Sequence, residues 1–117
     1  HRSDDELGEL QREADLFSEL VHCQGAHDSR LIAESNNRFH RLILSAGRNA
    51  RLAALLVAVV QVPMVKQTFA KYDRPALVRS AQQHQDLVVA IRSGDGGWAR
   101  ATMAAHILAA KNVIFGS

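Results

Sequence analysis

Cysteine occurs once in the 117 residues, as Cys23, so no intrachain disulfide is available and the fold must rest on a packed core. Proline is almost as scarce: Pro63 marks a point where a helix should kink or end, and Pro75 follows a capping residue at the start of another. Aromatics are few, with one Trp, one Tyr and four Phe, and Ala, Leu and Val outnumber the strand-favouring residues. The expectation is therefore an all-α, antiparallel helical bundle.

Charge is nearly balanced. The net value is +2 with neutral histidines, and the 14 Lys and Arg are spread along the chain, which argues against a nucleic-acid surface in this segment. No charged start followed by an apolar run marks a signal peptide. The longest apolar run, Leu52 to Val60, falls far short of the roughly 20 residues that cross a bilayer. These absences lead to the expectation of a soluble, cytoplasmic protein with no membrane partner, forming a single domain over residues 1–117.

Apolar periodicity and breakers predict the helices. Ser3-Asp4-Asp5-Glu6 has capping-box spacing ahead of Leu7, Leu10, Ala14, Leu16, Phe17 and Leu20, giving a first helix over 3–23. Gly25 breaks it. Asp28 or Ser29 caps a second helix over 29–46 carrying Leu31, Ile32, Phe39, Leu42 and Ile43. A third, kinked helix is expected over 50–70, and a fourth over 75–93 after Asp73-Arg74-Pro75. Beyond Gly94, Asp95 caps a last helix with Ala99, Met103, Ile107, Ala110 and Ile114 on one side.

Three of the six histidines fall on apolar faces. His40 shares a face with Asn36, Ile32 and Ile43; His84 joins the Leu77, Ala81, Leu87, Val88, Ile91 stripe; His106 sits between Met103 and Ala110. Any one of them can be a core histidine satisfied by a neighbour. Three on different helices fit equally well a shared metal or polar site, because converging imidazoles are how bundles build metal centres. Gln82 and Gln83 are candidates to hold a second ring nitrogen.

Asn36-Asn37-Arg38-Phe39-His40, followed by Ala46, Asn49 and Leu52, resembles the D-x-x-F-H, A-x-x-N-x-x-L pattern of the FCD domain, the effector-binding domain of GntR-family transcription regulators. His84, Ala90-Ile91, Gly94-Asp95, Ala99, Met103 and His106 match that domain's second element, H-x-x-x-x-x-A-I-x-x-G-D-x-x-x-A-x-x-x-M-x-x-H. The resemblance covers residues 5–115. It implies a bundle of helices around a pocket for a small effector, often a carboxylate, bound through a divalent metal such as zinc, nickel or manganese. The family's one Asp and three His fall here on Asn36, His40, His84 and His106. Asn at position 36 removes the only charged ligand, which predicts weaker metal retention or a site completed by an anion. The resemblance further implies a homodimer. One family helix and the winged helix-turn-helix domain are expected to precede this segment, so DNA contact is expected only through that missing N-terminal part.

Other residues invite weaker readings. Lys66, Thr68 and Tyr72 follow the Pro63 kink and can reach a pocket mouth; Arg38, Arg51 and Arg100 can bind a carboxylate or simply face solvent; His22, Cys23 and His27 suggest a metal pair or, more simply, a surface turn. Trp98 can pack on the preceding helix or a dimer partner. Two rival functions stand beside effector sensing: a metal-dependent hydrolase, for which Glu34 and Asp86 lie off the histidine faces, and a purely structural dimerisation module.

Overall fold

The computed structural model describes residues 2–23, 28–46 and 69–115. Four long helices lie within them: α1 (Arg2–His22), α2 (Ser29–Ala46), α3 (Arg74–Ser93) and α4 (Gly96–Phe115). No strand occurs among the described residues, and none of their helices is long and apolar enough to cross a membrane. The expected helix over 50–70 lies outside the described residues apart from its last turn, where the Tyr72 N–H donates to the Phe69 carbonyl.

The helix starts follow from single side chains. Asp28 accepts from the N–H groups of Arg30 and Leu31 at 3.0 and 3.1 Å, satisfying donors that a helix start leaves unpaired. Asp73 accepts from Ala76 N at 2.9 Å, with Pro75 in the first turn where its missing donor costs nothing. Asp95 accepts from Trp98 N at 3.0 Å and starts α4. Between α3 and α4 the chain reverses through Gly94, at φ 77°, a left-handed conformation that a side chain would strain. Helix α1 begins at Arg2, one residue before the expected start.

Packing runs α2 on α1, α1 on α3 and α3 on α4. Two apolar clusters result. One gathers Leu10, Ala14, Phe39, Ile43, Leu87, Val88 and Met103; the other gathers Phe17, Val21, Ile32, Phe69, Leu77 and Ala81. Leu16 and Leu31, expected on the inward stripes, are instead 36% and 37% exposed, because the true stripes pass one position away through Phe17 and Ile32. Polar ties fix the register of the helices. Glu13 on α1 accepts from Ser35 Oγ at 2.8 Å and from Arg38 Nε at 2.9 Å on α2, and Gln85 on α3 bonds both Gln11 and Asp15 on α1.

Candidate metal centre

On three of the helices buried polar residues fall near the junction of the two apolar clusters. Along α2, Asn36 and His40 fall between Ile32 and Ile43; along α3, His84 falls between Ala81 and Leu87; along α4, His106 falls between Met103 and Val113. Helix α1 contributes Phe17 at the same level, its ring 4.3 Å from that of His84. Phe39 stacks on the other side of His84, also at 4.3 Å and with an interplanar angle of 11°. The His84 ring is thus clamped between two phenyl rings, which hold its orientation without engaging its nitrogens.

The three imidazoles converge. Ring centroids are 5.8 Å apart for His40 and His84, 5.6 Å for His40 and His106, and 5.1 Å for His84 and His106. One ring nitrogen of each lies within 4.8 Å of the other two. Burial disfavours the imidazolium and holds all three neutral: His40 is lowered to about 3, with the nearby His106 adding to the effect, and His106 to about 4. His84 is lowered well below its ordinary value, first by burial and then by His106 and His40.

Hydrogen bonding within the group is incomplete. His106 Nδ1 lies 2.7 Å from Gln83 Oε1, and because that oxygen only accepts, Nδ1 carries the proton and Nε2 keeps its lone pair. Among the described residues, His40 Nε2, both nitrogens of His84 and Asn36 Nδ2 are buried without a hydrogen-bond partner. An unanswered buried polar atom costs about 1–3 kcal/mol, so four of them approach the whole stability of a small domain, about 5–15 kcal/mol. Water, a metal or a ligand can answer them.

Neutral nitrogen donors in the deprotonated state suit a divalent transition metal. Tetrahedral zinc with bonds of about 2.1 Å needs nitrogens about 3.4 Å apart. Starting within 4.8 Å, the rings need to draw together by at most about 1.4 Å. Asn36, 1% exposed and one turn before His40, is a buried neutral amide on the same face of α2.

The other residues singled out from sequence lie elsewhere. Arg38 is committed to Glu13, which raises its pKa chiefly through their hydrogen bond. Arg100 is exposed, while Arg51, Lys66, Thr68 and His27 lie outside the described residues. His22 Nδ1 bonds the Ser18 carbonyl at 2.8 Å, and Cys23 is exposed. Trp98 is 44% exposed in the first turn of α4. Tyr72, kept neutral by burial that pushes it up to about 12, lines a cleft between α3 and α4 together with Gln83 and His106. The same cleft contains Arg79, a residue that periodicity did not single out because it falls on the outward side of α3.

A helical bundle with a donor set buried at its centre belongs to the class of α-folds that place metal or ligand sites between facing helices. The chain belongs to the FCD domain family, whose model matches residues 1–109. It is thereby an effector-sensing domain of the kind found in transcription regulators, a family generally without enzymatic activity. Comparison with curated proteins and with solved structures gave no match.

Proposed function

We propose that this domain senses a small carboxylate through a divalent metal held by Asn36, His40, His84 and His106, and that it works as a homodimer within a cytoplasmic GntR-family regulator. In that reading residues 1–117 form one sensing domain, and DNA is bound by a separate domain of the full regulator. The observation that supports it most is the set of three neutral imidazoles converging to within 4.8 Å, of which His40 Nε2 and both His84 nitrogens have no hydrogen-bond partner among the described residues. When bound, the metal supplies a Lewis-acidic centre for an anionic ligand. The chain's own residues hold the donors neutral, clamp His84 between Phe17 and Phe39, and fix the His106 tautomer through Gln83.

Asn36 gives the site its ligand dependence. Three imidazoles and an amide leave a dication uncompensated in a low-dielectric interior, so the effector carboxylate completes the charge balance. Binding then shifts the equilibrium between helix arrangements and changes the spacing of attached DNA-binding domains.

The hydrolase alternative would need a general base beside the histidines. Among the described residues the group contains no Asp or Glu; Glu34 pairs with Arg30, and Asp86 accepts from Gln82.

Metal analysis of untagged protein by inductively coupled plasma mass spectrometry, beside a His84→Ala, His106→Ala double variant, tests the proposal. Near-stoichiometric zinc, nickel or manganese in the wild type and its loss in the variant are expected. A wild type that takes up no metal, with or without added carboxylate, overturns it.

A further inference from the structure

Helix α4 differs from the other three in carrying two seams of mostly apolar residues. One turns inward through Ala99, Met103 and His106, which are buried. The other runs through Trp98, Ala101, Ala105, Leu108, Asn112 and Phe115, and every one of these residues is exposed. Leu108 and Phe115 are 65% and 76% open to solvent. On the other described helices the exposed large apolar side chains do not line up: Leu16 and Leu31 stand alone on α1 and α2, and Val78 and Val89 lie about three turns apart on α3. A helix that is apolar on opposite sides is one that is covered on both. The outer residues recur at alternating intervals of three and four, the a and d spacing of a helix wound against another helix, with Asn112 as the single polar residue that fixes register in such a seam.

We infer that the outer seam of α4 packs antiparallel against the same seam of a second copy of this chain. The inference rests on the homodimer proposed above and names its surface. Several features select a second copy as the occupant. The seam is self-complementary: about a twofold axis across its middle, Trp98 comes opposite Phe115 of the second copy and Leu108 opposite Ala105, so a large residue of one helix meets a small one of the other. Charge sets the antiparallel sense. The seam itself holds no charged residue, and the flanking cations Arg100 and Lys111 would each meet their own copies in a parallel pair, whereas an antiparallel pair sets them level with Val113 and Thr102. The area is sufficient as well. An aromatic side chain presents roughly 150–250 Å², so Trp98, Leu108 and Phe115 at their exposures, with the alanines between them, bury on the order of 1,000 Å² over two copies, about the least that a specific interface buries. Residues 47–68 are the chain's other strongly apolar stretch. The last buried residue before them, Ile43, and the first after them, Phe69, belong to the clusters on the inner side of α4.

Analytical ultracentrifugation and fluorescence of the 117-residue chain test this. Trp98 is the one tryptophan, so its emission reports the seam directly. Wild type is expected to sediment as a dimer at high micromolar concentration and to dissociate on dilution, with Trp98 emission moving to longer wavelength over the same range. Leu108→Glu puts a charge at the middle of the seam and should weaken the dimer by about a hundredfold or more. Its circular dichroism should match wild type, because the residue is exposed in the protomer. Val89→Glu, also at an exposed position but on α3, should leave the dimer intact. A dimer that survives Leu108→Glu, or a Trp98 spectrum that stays fixed while the dimer dissociates, overturns the inference and leaves the homodimer standing on another surface. A wild type that is monomeric at every concentration overturns both, and a melting temperature lowered by Leu108→Glu in that monomer assigns the seam to another part of the same chain.

Discussion

At the scale of the residue, the proposed centre turns on position 36. Asn36 is buried and neutral beside three neutral imidazoles. Asn36→Asp adds a charged oxygen donor and is expected to tighten zinc binding by roughly 10–100-fold, the scale reached even by outer partners of metal ligands. The same change puts an unpaired carboxylate in the core of the metal-free protein and should lower its melting temperature. A competition titration against a chelator, with a thermal melt of each apoprotein, measures both, and equal zinc affinity in the two proteins would contradict the role given to Asn36. Histidine neutrality has its own signature. In the fold His40 and His106 protonate only near about 3 and 4, but once unfolded they do so near 6.5. Below 6.5 the unfolded chain therefore binds more protons, and stability present at neutral pH is lost as pH falls from about 6.5 toward 4. Each group contributes a slope of up to about 1.4 kcal/mol per pH unit in that window. Urea midpoints of metal-free protein between pH 7 and 4.5 should fall accordingly; a flat profile would mean that the rings are not neutral and buried. The candidate ligands were legible in sequence because each interrupts an apolar stripe.

The helices themselves depend on a few short polar side chains. Asp73, Asp28 and Asp95 each receive the free N–H groups of a first turn. Asp73→Ala is expected to cost about 1 kcal/mol, read as a lower urea midpoint; because α3 carries His84, zinc affinity should fall with it. No change in midpoint would show that Pro75 and packing start the helix unaided. Helix limits were readable to within a residue or so from Gly94, Asp28 and Asp95, since those residues act locally. The start of α1 was placed one residue late, since capping spacing alone leaves a helix end open by a position. Leu16 and Leu31 were misplaced for a related reason: next to Phe17 and Ile32, an extra apolar neighbour leaves the direction of the stripe open by one position until a second helix fixes it.

For the molecule as a whole, the arrangement sets buried polar residues near the junction of two apolar clusters, with α2, α3 and α4 each supplying one imidazole and α1 one aromatic clamp. The all-helical bundle was readable from composition and period, and the family from two ordered groups of residues, which the family match over residues 1–109 bears out. Convergence of the three histidines was one of two even readings from spacing and was implied by the family resemblance, but period alone did not fix it. Helical period tells which face a histidine takes, whereas the level at which it meets the others depends on how far each helix slides along its neighbour, and that is set by contacts such as Glu13 with Ser35 and Gln85 with Asp15.

X-ray absorption spectroscopy of the zinc-loaded chain addresses the central claim most directly. Three imidazole nitrogens at about 2.0–2.1 Å, with oxygen completing the shell and no sulfur, are predicted. A sulfur at about 2.3 Å would move the metal to Cys23 and its neighbouring histidines, and fewer than three imidazoles would contradict a centre built from His40, His84 and His106.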